Sequence, residues 1–334
     1  MRSSHLKPNI LIWGGTGFIG GALLSALTKA GEVVAVLTRK DTRGLAERYP
    51  MIRLFETGSS LDSTARQLFR ESVKTADLVF NVAGSSGAVS SNQDPVASLQ
   101  DNCLWQLAFL DACSAASHRL HVVFASSRLV YGRPLSLPVR EDHPLSPESM
   151  YAAHKLCVEH YHQIYASQDA ITFTICRISN PYGWDECGMR KNHGILNQMI
   201  QTALSHTPLT IFGDGRQMRD YIHIQDLVCA LLLCGKSPAA SNEIFNIGSG
   251  EGVSMVDAAL HIGRIAEASV EFSPWPELYK RVETGDFVNN IDKVRNRLGF
   301  RPKFSFNEGI EDVILRGRNY LQRGNSSIRF GQEV

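Results

Sequence analysis

Asn9-Ile10-Leu11-Ile12-Trp13-Gly14-Gly15-Thr16-Gly17-Phe18-Ile19-Gly20 is the stretch whose reading decides the fold. Its first five residues are an apolar run of strand length, and Gly21-Ala22-Leu23-Leu24-Ser25-Ala26-Leu27 continues with helical patterning. Between them Gly14, Gly17 and Gly20 stand three apart. That spacing suits a tight turn, close approach of backbone to a pyrophosphate and close helix packing, and the helix start at Phe18 and Ile19 turns a positive dipole end toward an anion. Glycines alone are a weak signal. Here a strand precedes them, a helix follows, and a second apolar strand stands at Glu32-Val33-Val34-Ala35-Val36-Leu37, which is the context the motif requires. We read a dinucleotide-binding unit.

The end of the second strand bears on which dinucleotide. An acidic side chain there accepts from the adenosine ribose hydroxyls, whereas a basic one suits a 2′-phosphate. The chain has Thr38-Arg39-Lys40, with Asp41 about three residues late, so NADP is favoured over NAD. The alternative is that Arg39 is a solvated loop residue and Asp41 swings back to the ribose. Asp77-Leu78-Val79-Phe80-Asn81-Val82-Ala83-Gly84 reads as a further buried strand whose small end, at Ala83, lets the chain pass beneath a ribose and nicotinamide. Helical patterning then runs from about Pro95 to Ala116 and carries Asn102 among apolar neighbours, where a buried amide can also serve simply to satisfy a backbone group.

His121-Val122-Val123-Phe124-Ala125-Ser126-Ser127 is the next strand, and it ends in two hydroxyls. Open parallel sheets bind ligands beyond the carboxyl ends of their strands, so Ser127 is placed to hydrogen-bond a substrate oxygen. Downstream, Met150 to Glu159 is rich in helix formers, and Tyr151 and Lys155, four apart, share a helix face. An ammonium there favours phenolate. Bringing a tyrosine from ~10 towards 7 takes about 4 kcal/mol at ~1.36 kcal/mol per unit, which a close lysine and an oxidised nicotinamide together could supply. Tyr151 is then the candidate acid/base.

Composition narrows the rest. The 334 residues are 43% hydrophobic and 20% charged, ordinary for a globular chain with a substantial core. A formal charge of +1 without long like-charge runs argues against nucleic acid or a membrane surface as partner. Met1 to Pro8 lacks an apolar signal core and no apolar run approaches the ~18 residues of a span, so we expect a cytoplasmic protein. The seven cysteines are odd in number and several fall in apolar periodic segments, which reads as buried free thiols. His160 and His162, two apart on a helix, face different ways, and no metal site is expected. Gly324-Asn325-Ser326-Ser327 suggests a loose tail.

Taken in order, these residues resemble the extended short-chain dehydrogenase/reductase family of nucleotide-sugar epimerases, dehydratases and reductases. The pattern stands nearest to the UDP-hexose 4-epimerases. Besides the glycines, the resemblance rests on Asp94-Pro95 with Asn102, Ser126-Ser127 with Val130-Tyr131-Gly132, Glu141-Asp142-His143-Pro144 leading to Tyr151 and Lys155, and Arg177 to Gly183. It continues through Phe212-Gly213-Asp214-Gly215-Arg216, Arg219 to Asp226, Phe245 to Gly250 and Leu298-Gly299-Phe300-Arg301-Pro302. The resemblance implies a catalytic set of Ser127, Tyr151 and Lys155 supported by Asn102, and it places Tyr151 and Lys155 against the cofactor as well. Asn180, Arg219 and, more loosely, Arg281 are the positions it implies for the substrate diphosphate. Arginine forks onto phosphate oxygens and an asparagine amide donates without adding charge, so the chemistry agrees.

The chain also departs from the pattern: Trp13 stands for a frequent threonine, Ser59 for an aspartate that meets adenine, and His154 for a small or hydroxyl residue. Arg128-Leu129 replaces the acidic pair with which 4,6-dehydratases eliminate water, so neither dehydration nor uronate decarboxylation is expected.

The fold expected is a Rossmann-type doubly wound parallel sheet over residues 1–178, rejoined at about 220–247, with a smaller, mainly C-terminal lobe in 179–334 for the nucleotide sugar. The function expected is an NAD(P)-dependent 4-epimerase of a nucleotide-diphosphate hexose, working by transient C4 oxidation and re-reduction, as a homodimer. An NADPH-dependent nucleotide-sugar 4-ketoreductase is the alternative, and behind both stands a non-catalytic NADP-binding sensor.

Overall fold

The computed structural model describes residues 9–41, 44–184 and 194–322. Met1 to Pro8, Cys187 and the expected tail at Gly324 to Ser327 lie outside the described residues. In chain order the first half runs β1 (Ile10–Trp13), α1 (Phe18–Lys29), β2 (Val34–Thr38), α2 (Leu45–Arg48), β3 (Arg53–Glu56), α3 (Ser63–Val73), β4 (Leu78–Asn81), α4 (Ala88–Gln93), α5 (Pro95–Leu99), a π-turn (Gln100–Leu104), α6 (Trp105–Ser114), β5 (Leu120–Ser127), a 3-10 turn (Arg128–Tyr131), α7 (Met150–Ser167) and β6 (Ile171–Ile178). The second half runs β7 (Asn180–Tyr182), α8 (Ile195–Leu204), β8 (Leu209–Phe212), β9 (Met218–His223), α9 (Ile224–Lys236), β10 (Glu243–Ile247), β11 (Gly252–Ser254), α10 (Met255–Ala266), β12 (Val270–Ser273), α11 (Glu277–Lys280), α12 (Asp292–Leu298) and α13 (Phe306–Gln322).

Seven parallel strands form the main sheet in the order β10-β6-β5-β4-β1-β2-β3. Strand alternation sets its two faces. Ile10 and Ile12 point into a core with Leu23 and Leu27 of α1 and Leu227 and Leu231 of α9. Leu11 and Trp13 point the other way, onto Phe69 of α3 and Phe109 of α6. Trp13 therefore has a packing reason: its ring lies 4.4 Å from that of Phe109 and 5.5 Å from that of Phe69. Because the strands are parallel, Trp13, Thr38, Asn81 and Ser127 end on one edge, and the order reverses between β1 and β4, where a crevice opens.

A smaller lobe packs beyond that edge. It holds a three-stranded sheet β11-β9-β7, a parallel pair β12-β8, and a core of Leu196, Ile200, Ile211, Ile262, Ile310 and Ile314. β10 leaves this lobe to pair with β6.

The expected helical run from about Pro95 to Ala116 forms without a gap from Pro95 to Ser114, and a π-turn in its middle carries Asn102. An extra residue in the turn re-aims the side chain, and such bulges concentrate at functional sites. The described cysteines are free; Cys103, Cys113, Cys176 and Cys234 are buried, and Cys157 and Cys229 are partly so. Among the described residues no helix is long and apolar enough to cross a membrane.

Candidate active site

The glycine turn builds the first half of the site. Gly14 holds a φ of +94°, and a Cβ there would come within 2.9 Å of the Ala83 backbone, so only glycine lets the turn lie against the end of β4. A Cβ on Gly20 would strike the Gly14 carbonyl. The Thr16 and Thr38 hydroxyls meet at 3.0 Å and pin the turn to β2. Beside it lies a cleft of about 320 Å³ bordered by Gly14, Gly17, Arg39, Ala83, Asp101 and Trp105. The cradle fits a dinucleotide: its turn excludes side chains, and the buried Trp105 Nε1 at its border has no partner among the described residues. Phe18 is buried and Ile19 packs against the same core, so any part they take in holding pyrophosphate is through backbone N–H groups at the start of α1.

Arg39 lines this cleft, and its guanidinium meets the Asp101 carboxylate at 2.9 Å. Asp41 has turned elsewhere: its carboxylate accepts from the N–H groups of Leu45 at 2.9 Å and Ala46 at 3.2 Å and caps α2. The acid facing the basic strand end is therefore Asp101, far along the chain. Ser59 is exposed.

The second half is α7 against the end of β5. Ser149 caps α7 by accepting from Ala152 N–H at 3.2 Å, and the Tyr151 N–H is held by Ser91 Oγ at 3.0 Å, which fixes the first turn. Tyr151 hydrogen-bonds Ser127, whose Oγ also accepts from Leu129 N–H at 3.2 Å. Lys155 Nζ donates to the Ala125 carbonyl at 2.8 Å and lies 4.8 Å from the Phe124 ring centre and 5.8 Å from that of Tyr151. Asn102 reaches the same place: its Nδ2 donates to Ser85 Oγ at 3.1 Å, its Oδ1 is buried without a partner among the described residues, and Gly84 makes room beside it. His154 is tied to Ser98 Oγ at 3.0 Å.

In the protein alone, burial governs how the pair titrates. Burial pushes the Tyr151 phenol up to about 12, with the Ser127 hydrogen bond as the opposing influence. Burial likewise pushes the Lys155 ammonium down to about 8, against support from Cys103 and Glu159. Lysine and tyrosine share a face, but the ammonium is committed to a carbonyl and does not by itself bring the phenol toward neutrality.

A buried polar network braces this edge. Ser126 Oγ donates to Glu159, which takes Arg177 Nη2 at 2.7 Å; Arg177 also donates to the Tyr131 hydroxyl at 3.0 Å, and that hydroxyl donates to Asn246 Oδ1 at 2.7 Å. β5, α7, β6 and β10 are thus tied behind Ser127.

Toward the smaller lobe a second cleft, of about 540 Å³, is bordered by Arg133, Arg216, Trp275, Lys280 and Glu283. Of the expected diphosphate ligands, Arg219 is buried with its charge already paired to Glu283, and its Nη1 donates to the Met218 and Gly285 carbonyls at 2.8 and 2.6 Å. Asn180 Nδ2 donates to the Asp220 carbonyl at 2.8 Å. Arg281 is exposed just past α11 and does not border the cleft; its neighbour Lys280 does, since adjacent helical residues point different ways. Sequence reasoning missed Asp101, Trp105, Trp275 and Glu283, and treated Arg128 only as an absent acid. Arg128 is buried directly after Ser127, with Nη1 donating to Thr284 Oγ1 at 3.2 Å.

A doubly wound parallel sheet with a glycine cradle at its switch point and a serine, tyrosine and lysine gathered beyond β5 defines an enzyme of the extended short-chain dehydrogenase/reductase class. Comparison with known proteins makes this particular. Residues 10–248 match the model of the NAD dependent epimerase/dehydratase family, and the chain belongs to that family. It is 30% identical over 335 residues to a UDP-glucose 4-epimerase of Azospirillum brasilense, covering 95% of this chain and 94% of that one. A putative UDP-glucose 4-epimerase of Methanocaldococcus jannaschii is 28% identical, over 95% of this chain and 99% of its own. Among solved structures, the UDP-glucose 4-epimerase of Thermus thermophilus in complex with NAD superposes with a TM-score of 0.82 at 29% identity, covering 93% of this chain and 99% of that one.

Proposed function

We propose that this chain is a nucleotide-sugar 4-epimerase that oxidises a nucleotide-diphosphate hexose at C4 and reduces it again from the other face, with UDP as the nucleotide. The observation that carries the reading is the meeting of Ser127, Tyr151 and Lys155 at the sheet edge next to the glycine cradle. Relatives named UDP-glucose 4-epimerases support the reaction and the nucleotide. The bound nicotinamide cofactor supplies a hydride acceptor and donor. Tyr151 takes the proton from the C4 hydroxyl as the carbonyl forms and gives it back on reduction, and Ser127 donates a hydrogen bond to the same oxygen. Lys155 holds positive charge beneath the pair and fixes the strand end through Ala125. Asn102, re-aimed by the π-turn, supports the lysine side of the site. We assign residues 1–178, rejoined at about 220–247, to the cofactor domain and 179–334 mainly to the substrate lobe.

For the cofactor we infer NADP in preference to NAD, because Arg39 borders the cleft. Asp101 makes that preference smaller than an unpaired arginine would give, since it already neutralises the guanidinium. The same arginine is the observation that favours a second reading, a 4-ketoreductase that consumes NADPH once. A homodimer is supported by Leu99, Leu104, Leu107 and Ile164, exposed apolar side chains on α5, the π-turn, α6 and α7.

The deciding experiment incubates the protein with UDP-, dTDP-, GDP- and CDP-hexoses and their 4-keto forms while nicotinamide absorbance and product stereochemistry are followed together. Interconversion of C4 epimers without net change in absorbance is the result expected. Stoichiometric oxidation of NADPH on a 4-keto sugar, with no epimer formed, overturns the epimerase in favour of the reductase.

A further inference from the structure

Three arginines are buried among the described residues, and two of them hold a carboxylate. Arg177 shows the geometry: its Nε reaches Glu159 Oε1 at 3.1 Å and its Nη2 reaches Oε2 at 2.7 Å, so one edge of the guanidinium grips the acid side-on. Arg219 takes Glu283. Arg128 is the exception. It is 7% exposed, its Nη1 donates to Thr284 Oγ1 at 3.2 Å, and its guanidinium lies 4.9 Å from the Phe287 ring centre, but its Nε and Nη2 meet no acceptor among the described residues. The acids that face it are taken: Glu283 by Arg219 and the Gly285 N–H, and Asp220 by the donors of Ser249, Gly250 and Asn289. Burial, and then the like charge of Arg219, hold its guanidinium below the ordinary arginine value. A buried charge with two unused donors is unfavourable in the protein alone, and a bound anion would compensate it.

We propose that Arg128 reads a carboxylate on the sugar, so that the substrate is a nucleotide-diphosphate hexuronic acid whose carboxylate oxygens meet the Nε and Nη2 edge of the guanidinium. The proposal rests on the 4-epimerase reading above and names the sugar it acts on. Arg128 follows Ser127 directly, and Ser127, hydrogen-bonded to Tyr151, is the group that meets the oxygen on C4. The Leu129 N–H donates to Ser127 Oγ at 3.2 Å, so the 3-10 turn that opens with Arg128 is fixed to that same hydroxyl. In a pyranose C5 adjoins C4, whereas C1, which carries the nucleotide diphosphate, stands across the ring. With C4 seated at Ser127, the exocyclic group on C5 is thus the charged position closest to the start of this turn. A neutral hydroxymethyl there leaves the guanidinium unanswered. A carboxylate there accepts two charge-assisted hydrogen bonds in the planar fork that Arg177 already makes with Glu159. Thr284 and Phe287 steady the arginine from the segment after α11, which holds the fork in place before substrate arrives.

Calorimetric titration of the protein with its cofactor bound tests this, using UDP, UDP-glucose and UDP-glucuronate. The wild type should take UDP-glucuronate about tenfold or more tighter than UDP-glucose, the scale of a charge-assisted pair. Arg128→Met should erase that gap by weakening UDP-glucuronate, while UDP and UDP-glucose stay within about threefold of wild type. A wild type that binds the two sugars equally overturns the proposal. So does an Arg128→Met variant that loses UDP and UDP-glucose as much as UDP-glucuronate, which would give the arginine to the nucleotide end or to the fold. Should Arg128→Met fail to fold, Arg128→Lys decides, since it keeps the charge and loses the fork: a preference for UDP-glucuronate as large as in the wild type overturns the bidentate contact. A wild type that takes up none of the three ligands removes the nucleotide-sugar reading and this site with it. A preference for UDP-glucuronate that depends on Arg128, without interconversion of its C4 epimers, upholds the site and rejects the reaction.

Discussion

Lys155 Nζ and the Ala125 carbonyl oxygen stand 2.8 Å apart, so the lysine that shares a helix face with Tyr151 is tethered to the strand that ends in Ser127. The tether orients β5 and α7 toward each other. Burial pushes the phenol up to about 12 and keeps it protonated in the protein alone, so taking the C4 proton requires the phenolate that the positive charge of an oxidised nicotinamide beside it would favour. Tyr151→Phe should then keep cofactor binding and stability and lose turnover by ~10²-fold or more, the usual scale of a positioned acid/base. Steady-state rates with the sugar panel measure this, and a variant keeping a tenth of the wild-type rate would remove Tyr151 from the role.

The Arg39–Asp101 pair sets cofactor choice from both sides. A guanidinium meeting a 2′-phosphate contributes roughly 1.5–3 kcal/mol, and a carboxylate already on it offsets part of that. Asp101→Asn should widen the NADP preference, and Arg39→Ala should narrow it mainly by weakening NADP. Titration of the cofactor-free protein with NAD and NADP checks both; tighter NAD in the wild type together with an unmoved ratio in Asp101→Asn would contradict the pairing.

Acid should destabilise the fold before its carboxylates titrate. Burial pushes His162, stacked on Phe124, and His223 down to about 4, whereas in the unfolded chain both return to the ordinary value near 6.5. Between those values the unfolded chain binds more protons, so stability falls as the pH drops through that window and is fully present above it. His162→Leu should flatten the fall. Thermal midpoints of wild type and variant from pH 7 to pH 4.5 decide it, and parallel curves would reject the assignment.

Arg177→Met should destabilise by about 3–5 kcal/mol, because it leaves Glu159 charged and buried at 1% exposure behind the active strand. Replacing both partners, as in Arg177→Met with Glu159→Leu, should recover much of the loss. Urea midpoints of the single and double variants measure the difference, and equal destabilisation by both would mean the pair is held for packing rather than charge.

The sequence by itself determined what repeats locally. The run Ile10 to Trp13, the three-residue spacing of Gly14, Gly17 and Gly20, and the four-residue spacing of Tyr151 and Lys155 are set by strand and helix periods, so they can be read from neighbours in the chain. The order of such signals carried the family as well. The partners of the charges were decided only by the tertiary structure. Arg39 finds Asp101 across 62 residues and Arg128 finds Thr284 across 156, while Arg219 is already occupied by Glu283. Electrostatic pairing depends on distance in space and on burial, and neither is a function of chain position. The π-turn that re-aims Asn102 is likewise invisible to helical patterning, since one added residue in a turn leaves the apolar period around it nearly unchanged.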